Sequence, residues 1–553
     1  GQGRMTSTAG HAAPPSPLYA LQPGLPRLRV SLVLACSRLP AWLDETLSGV
    51  LDADFLEVQV LREADAPARR HGSLAWRAYH ALDRRLLGEL RPIMAPRALS
   101  PRLAGTPIHR TPEALRAAVA GFTPDVVLSI GHSPARIDLW PLARRAAWSI
   151  PAEACKPSWG LMHLLPAFLR GDAEAPSGFP VHDDRAGIGL LLDPASVSIA
   201  QLSFARNTAY QLQKAPAKLL RALRRLQQGQ PPAEAPVDLA RAPGTFATLA
   251  LCVRLLGRSL WRHVPRLGRR ERWTLAARRT GTPLDPAQPR AEGFHRWTPP
   301  RGWFWADPFP VRHDGVDHVF FEAYDYERAI GEIHAVTVDA ESRPGPPRVV
   351  MAGRHHLSYP FLFHHEGEPH LLVECAQARR IQAFRAERFP EGWHPVATLL
   401  DGWRAVDGTL WQQDGRWWLF ACVAETPFDD GGREFNELFL FHADRPLGPW
   451  TPHRQNPVVT DVRSARPAGP LFVHQGRLLR PSQDCAAEYG HRIVFNEVRR
   501  MDPDVYEETA LATLDPDWAP ALRGCHTYAR AGHLELLDAK SLVPARETRR
   551  GAP

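Results

Sequence analysis

The sequence predicts a multidomain protein: an N-terminal α/β domain followed by a C-terminal all-β five-bladed propeller. Three observations predict it. The 553 residues exceed what one ordinary core accommodates. Strands alternate with amphipathic helices from residue 28 to about 225, the pattern of a largely parallel sheet. From 271 onward short Trp, Phe, Val and Leu runs are punctuated by Gly, Asp and Pro, and one two-strand motif recurs at intervals near 50 residues. The expected division is a disordered N-terminus over 1–27, an α/β domain over 28–225, a linker and helix over 226–270, the propeller over 271–545, and a tail over 546–553.

Composition narrows the class. At 44% hydrophobic and 23% charged, the chain is that of a folded protein with large cores. Its net charge of +8 is diluted over a long, arginine-rich chain. Without a compact aromatic-basic motif, no nucleic-acid partner is expected. The seven cysteines form no CxxC pair, which argues against a zinc ribbon or a dense disulfide framework; no metal is expected. "GQGR" before Met5 reads as a tag scar. Residues 6–28 lack a charged segment leading into an apolar run, so the expected location is cytoplasmic.

In the first domain, "LRVSLVLACSRLP" (28–40) opens with a buried-type strand, "AWLDETLSGVLDA" has helical spacing, and "FLEVQVLRE" is a second strand. "TPEALRAAVAGF" is a capped helix leading into the strand "DVVLSIG" (125–131). No G-x-G-x-x-G follows the first strand, so a dinucleotide site is not supported. "QQGQPPAEAP" is a linker by composition. In "FATLALCVRLLGRSLWRHV", Leu249, Val253, Leu256, Leu260 and Val264 share one helical face, with Arg254, Arg258 and Arg262 in a separate stripe. This helix, 244–264, either docks on a domain with a solvated face or makes peripheral contact with an anionic membrane, such as the inner membrane.

The repeat carries the propeller. "DPFPVRHDGVDHVFFE" from Asp307, "YPFLFHHEGEPHLLVE" from Tyr359, "DGTLWQQDGRWWLFAC" from Asp407 and "AGPLFVHQGRLLRPSQD" from Ala468 stack with the turn glycines 315, 367, 415 and 476 in register. "HTYARAGHLELLD" from His526 is a weaker fifth copy. Two strands around a Gly turn, with room for two more, make a propeller blade. "ERWTLAAR" (271–278) is placed to close the ring by joining the last blade, which removes open sheet edges.

In a propeller the inner strands run along the axis, so their starting residues converge although far apart in sequence. Asp307 is the leading nucleophile or base candidate. Asp407 is a candidate to orient the substrate or tune a neighbour, and Glu374 or Glu322, at run ends, is the acid candidate. Arg463, Arg466, Asp484 and His491 are candidates to surround the substrate, Trp305 and Tyr359 to stack on it, and His526 to border it. Each has a structural alternative: Asp-Pro and Asp-Gly form turns, arginines pair between blades, aromatics fill cores, and histidines bond within them.

The motifs resemble known families. "WADP" with later acidic residues looks like the five-bladed glycosidases of family 43 and the related family 32 and 68 groups, which use an Asp from blade one with another Asp and a Glu. More specifically, "WFWADPF", "HLSYPFLF", "DGRWWLFA", "PLGPWTPHRQNPVVTDVRSARPAGPLF" and "RPSQDCAAEYGHRIVFNEV" resemble the propeller known as the N-terminal domain of glucosamine inositolphosphorylceramide transferase, over roughly 272–545. Bacterial members commonly carry a formyltransferase-like (Rossmann-type) domain ahead of it, which residues 28–225 resemble. That family's Asn-x-His pattern is broken here: in "GLMHLLPAFLRGD", His163 stands at the His but Leu161 stands at the Asn. Asp193 is positioned as the family's Asp. Losing an oxyanion donor costs on the order of 10²–10³ in rate, so a degenerate formyltransferase site is expected, with no folate binding.

Three readings are open. The first is an enzyme acting on a glycosyl bond at the propeller mouth, a glycosyltransferase of glycan or glycoconjugate assembly using a nucleotide-sugar donor, or a five-bladed glycoside hydrolase. The second is a non-catalytic glycan-binding propeller. The third is a sugar N-formyltransferase in the first domain. No cofactor is required by the first.

Overall fold

The structure, a computed structural model, describes residues 16–20, 22–65, 72–87, 90–131, 138–156, 160–237, 242–426, 428 and 436–550. The first domain is built on a seven-stranded mixed sheet. Leu28–Leu34 pairs in parallel with Leu56–Arg62 on one side and Val126–Ile130 on the other, and Ala146–Ile150 extends the parallel set. Its apolar run is buried along nearly its whole length because both faces are covered. Trp42, Leu43 and Leu47 of helix Ala41–Asp52 fill the core on one face. Leu115 and Val119 of helix Pro112–Phe122, capped by the Thr111 hydroxyl, pack with Val33 and Val127 on the other. Glu174–Asp183, Ile188–Ser198 and Glu234–Pro236 complete the sheet in antiparallel sense. The last of these lies in the stretch expected as linker.

Five blades succeed the first domain. Blade one is Trp303–His313, Val316–Asp325, Ile330–Val338 and Arg348–Met351; blade two is Ser358–His365, Glu368–Cys375, Arg380–Arg388 and Glu391–Asp401. Blade three is Arg404–Gln413, Arg416–Ala424, Leu438–Ala443 and Thr451–Pro452. Blade four has an interrupted inner strand, Arg466–Pro467 and Phe472–His474, then Arg477–Asp484, Arg492–Met501 and Tyr506–Leu514. Blade five joins the interrupted inner strand Leu522–Gly524 and Tyr528–Ala531 to Leu534–Pro544, and then to Arg269–Arg279 and His295–Trp297 from the start of the region. The register Leu275↔Asp538 thus closes the ring with "ERWTLAAR".

Two expectations need correction. Within the stretch expected to be disordered, residues 1–15 and 21 lie outside the described residues, but Ser16–Leu18 seat on the propeller. Ser16 N–H donates to the Asp401 carbonyl (2.9 Å), Trp403 Nε1 donates to the Ser16 carbonyl (2.6 Å), and Leu18 joins the core of blades two and three. The helix expected over 244–264 forms at Thr245–His263, but Thr248 and Leu251 face inward while the Leu249–Val264 stripe faces out.

The first domain is fastened to blades three and four. Ser196 N–H donates to Thr460 O (2.9 Å) and Val462 N–H to Ser196 O (3.1 Å). Arg221, from helix Ala215–Gln227, reaches Glu437 (2.7 Å), Glu425 (3.1 Å) and Asp193 (2.7 Å) in a dry seam shared with Lys214 and Lys218. Burial opposes the Glu437 charge, but Arg221, Lys214 and Lys218 hold it well below the usual carboxylate range.

Candidate functional site

The site arises from a repeated local break. Inner strands of blades one to three bulge between Ala306 and Phe309, Ser358 and Phe361, and Val406 and Thr409. At the bulges Asp307, Tyr359 and Asp407 have φ of 52°, 49° and 55°. The following residues, Pro308, Pro360 and Gly408, explain why: proline cannot donate to the ladder, glycine weakens it, and the preceding residue is turned out toward the axis. In blade four the positive φ falls on Gly469, at 113°, rather than on Ala468. A β-carbon there would meet the Tyr528 carbonyl oxygen at 2.0 Å, so only glycine fits.

These residues staple each blade to the next. His356, in the loop entering blade two, holds Nε2 at 3.2 Å from Glu322 Oε1 of blade one. Its Nδ1 accepts the Gly331 N–H (3.0 Å), which places the ring proton on Nε2. Glu374 of blade two accepts from the Asp407 N–H of blade three (2.5 Å) and from the Ser358 hydroxyl (2.7 Å). Asp407 accepts from Arg466 Nε of blade four (2.5 Å), with Gln483 Nε2 at 3.4 Å. Tyr528 N–H of blade five donates to Ala468 O (2.9 Å). Asp307 returns to blade five: its carboxylate accepts from the Thr527 hydroxyl (2.9 Å) and its N–H donates to Asp538 (3.2 Å).

The electrostatics arise from crowding carboxyls in a dry axis. Burial, with Glu322 and Asp538 nearby, pushes Asp307 up to about 7 against the pull of His526 and the Thr527 bond. Burial likewise pushes Asp407 well above the usual range, with Arg466 opposing and Glu374 and Asp307 reinforcing. Burial disfavours the Arg466 charge, but Asp407 and Glu374 keep it protonated. Desolvation would discharge His526, but Asp538, 2.6 Å from its Nδ1, raises it. Asp307 is therefore the carboxyl of this axis brought into the neutral range.

Above it lies a cavity of about 550 Å³ between propeller and first domain. Glu374, Arg466, His356, Arg404, Glu488 and Tyr489 line it from the propeller, Ser198, Ile199 and Ala200 from the first domain, and Arg262 from the long helix. Arg466 stacks over the Tyr489 ring (4.9 Å). Asp307, Asp407 and Glu322 lie buried around the axis beside it. Asp307, His526 and Asp538 bring ligand atoms within 4.8 Å of one another, as a bound cation would need. Asp538, however, already accepts from the N–H groups of His526, Thr527 and Asp307 and pairs with the imidazole, so proton sharing fits this set better than metal ligation.

Several expected residues sit elsewhere. Trp305 is buried against Phe321 in the core of blades one and five, and is no sugar platform. Tyr359 is buried too, its hydroxyl bonded to Thr409 Oγ1 and accepting from Gly469 N–H (both 2.9 Å). Arg463 is captured by Asp461 (2.6 Å) and by Glu174 of the first domain (3.1 Å). Asp484 holds Arg492 (2.8 Å) and the Ala486 N–H (3.0 Å), supporting the loop that carries Tyr489. His491 is half-buried and does not line the cavity. His526 stacks on Trp273 (3.9 Å between centroids) beside the cluster. In the first domain, burial pushes His163 down to about 4, and Asp193 is engaged by Arg221 and Lys218. No hydrogen bond or ion pair among the described residues joins that pair.

Asp538, His356, Gln483, Arg404 and Tyr489 escape the sequence pattern. Asp538 ends the run "LELLD", the same signal that selects Glu322 and Glu374. Gln483 stands seven residues after its turn glycine, where Glu322 and Glu374 stand in the first two copies, but as an amide; His356, Arg404 and Tyr489 sit in loops or in unrepeated positions.

A family model matches residues 298–541, from just before the first inner strand to near the end of the last long one. The chain is 34% identical over 209 residues to glucosamine inositolphosphorylceramide transferase 1 of Oryza sativa subsp. japonica, covering 37% of this chain and 27% of that protein. The Arabidopsis thaliana protein of the same name is 31% identical over 208 residues, with the same shares. The match thus spans about a quarter of the length of these curated relatives. A family 117 glycoside hydrolase from Zobellia galactanivorans aligns over 48% of this chain and 90% of its own, at 13% identity and a TM-score of 0.32. The family model that matches this propeller segment is the one described as glucosamine inositolphosphorylceramide transferase 1, N-terminal.

Proposed function

We propose that this protein acts on a glycosyl bond at the propeller mouth, as a glycosyltransferase in glycan or glycoconjugate assembly. One observation carries the reading. Glu374 and Arg466 line the same cavity and are coupled through Asp407, whose N–H binds the glutamate and whose carboxylate binds the arginine. A carboxylate suits attack or base chemistry at an anomeric carbon, and a desolvated guanidinium suits a departing phosphate. Arg404 and Arg262 add positive charge to the same wall. Asp307, poised near 7, is the group able to exchange a proton at neutral pH. The name of the plant relatives, a sugar transferase, agrees.

The test is turnover of a panel of nucleotide sugars with lipid and saccharide acceptors. Nucleotide release that depends on acceptor, and falls at least ~100-fold in Glu374→Gln, supports transfer. The raised Asp307 carboxyl also favours a hydrolase, which would release free sugar from glycosides without an acceptor. Sugar binding with no turnover in either assay, unaltered by Glu374→Gln, would leave a binding propeller. For the first domain we propose a formyltransferase-like support without formyl transfer, since Leu161 is buried where an amide would be needed and Asp193 is committed to the seam. Formylated product from a folate donor would refute this.

A further inference from the structure

The helix Thr245–His263 turns outward the face that its sequence would ordinarily bury. Thr248 and Leu251 are buried, and Arg258, which periodicity assigns to a polar stripe, donates to the carbonyls of Phe168 (2.8 Å) and Leu169 (2.9 Å). Phe246, Val253 and Trp261 are 88%, 71% and 84% exposed, and Leu249, Leu256 and Leu260 more than half exposed. At 100° per residue these six side chains fan over an arc of about 140°. Beyond the helix, Val264 and Leu267 continue the apolar surface. An apolar surface this continuous on one element marks a docking face.

Charge says what docks there. Residues 245–270 contain six arginines and no acidic residue. Arg254 flanks the stripe, and Arg262, Arg269 and Arg270 are exposed toward its C-terminal end. An apolar stripe whose neighbouring fixed charges over 245–270 are all arginines complements an anionic bilayer, where side chains enter the acyl boundary and guanidinium groups meet headgroup phosphates. Among the described residues no helix is long and apolar enough to cross a membrane, so the helix would lie in the interface. Its C-terminal end adjoins the mouth: Arg262 lines the cavity, and Arg266 pairs with Glu488 of the cavity wall (3.2 Å).

We infer that this helix docks the protein on an anionic lipid surface, with the propeller mouth beside that surface.

The test is flotation of the full chain with vesicles of equimolar phosphatidylcholine and phosphatidylglycerol, and with phosphatidylcholine alone. The expected result is flotation with the anionic vesicles, weakened by salt and at least ~10-fold weaker with phosphatidylcholine. The double variant Val253→Glu and Leu260→Glu, at exposed positions, should abolish it, and Arg254→Glu should weaken it, with unchanged unfolding temperatures. Absence of flotation with anionic vesicles, or flotation indifferent to the double variant, overturns the inference. So does a concentration-dependent dimer that the double variant dissolves without vesicle binding, which would assign the stripe to a second copy. Flotation reads no turnover, so failure of the glycosyl reading leaves this result standing.

Discussion

Replacing Asp307 by Asn should stabilise the protein at alkaline pH while removing turnover. The bulge tolerates the change: asparagine accepts the φ of 52° more readily than most residues, and its Oδ1 can still accept from Thr527. What it removes is the cost of ionising a buried acid. Folding raises this carboxyl from its ordinary 3.8 to about 7. Between those values the folded state binds the proton and the unfolded state does not, so stability falls as pH rises from about 4 to about 7 and then levels. The full penalty is about 4 kcal/mol above pH 7, of which about 1.6 kcal/mol is already present at pH 5. The stability difference between Asp307→Asn and the parent chain should therefore widen by about 2.5 kcal/mol from pH 5 to pH 8 in favour of the variant. Urea unfolding followed by tryptophan fluorescence across that range measures it. A flat difference, or one that widens toward acid, would refute the raised carboxyl and with it Asp307 as the neutral-pH proton carrier.

Other perturbations probe the frame around the site. Gly469→Ala places a β-carbon on the Tyr528 carbonyl at a φ of 113° and should cost about 3 kcal/mol or more. Gly476→Ala, at a φ of 75° with nothing within 4 Å, should cost only about 1 kcal/mol, and paired unfolding curves compare them. Arg221→Met strips the seam of the cation shared by Glu437, Glu425 and Asp193, and should destabilise by about 3–5 kcal/mol in the same assay. Because folding lowers Glu437, its contribution is present above its ordinary 4.5 and is lost as pH falls below that value. Acidification should therefore loosen the two domains first, read as increased proteolysis between them below pH 4.5 and not at pH 7.

Much of the frame is legible in the sequence, for a local reason. Each Gly turn fixes where a hairpin folds, and register counted back from it puts Asp307, Tyr359 and Asp407 at matching points of three blades without tertiary information. Blade five is harder, since it is sewn from both ends of the region, so Asp538 pairs with Leu275 across a gap no local pattern spans. Strand alternation also misleads: Trp305 and Asp307 should share a face, but the bulge between Ala306 and Phe309 turns the aspartate to the axis and leaves the tryptophan in the core.

Side-chain destination is where periodicity ends and competition for partners begins. Arg463 and Arg466 stand three residues apart and look equivalent in the sequence. Asp461 accepts from both the N–H (2.9 Å) and the Nε (3.0 Å) of Arg463, a capture two residues long that forms whatever the distant fold does. Arg466 instead opens a two-residue strand paired with Gln483, and that pairing leads it to the axis and Asp407. The long helix obeys the same logic. Its periodicity defines an apolar and a basic face, but two carbonyls at Phe168 and Leu169, near the end of helix Leu165–Arg170, accept Arg258 and turn the apolar face outward. Orphaned helix-end carbonyls are among the strongest acceptors available to a guanidinium. An amphipathic pattern therefore predicts a docking face reliably only where the domain beneath it offers no polar group that claims the other side.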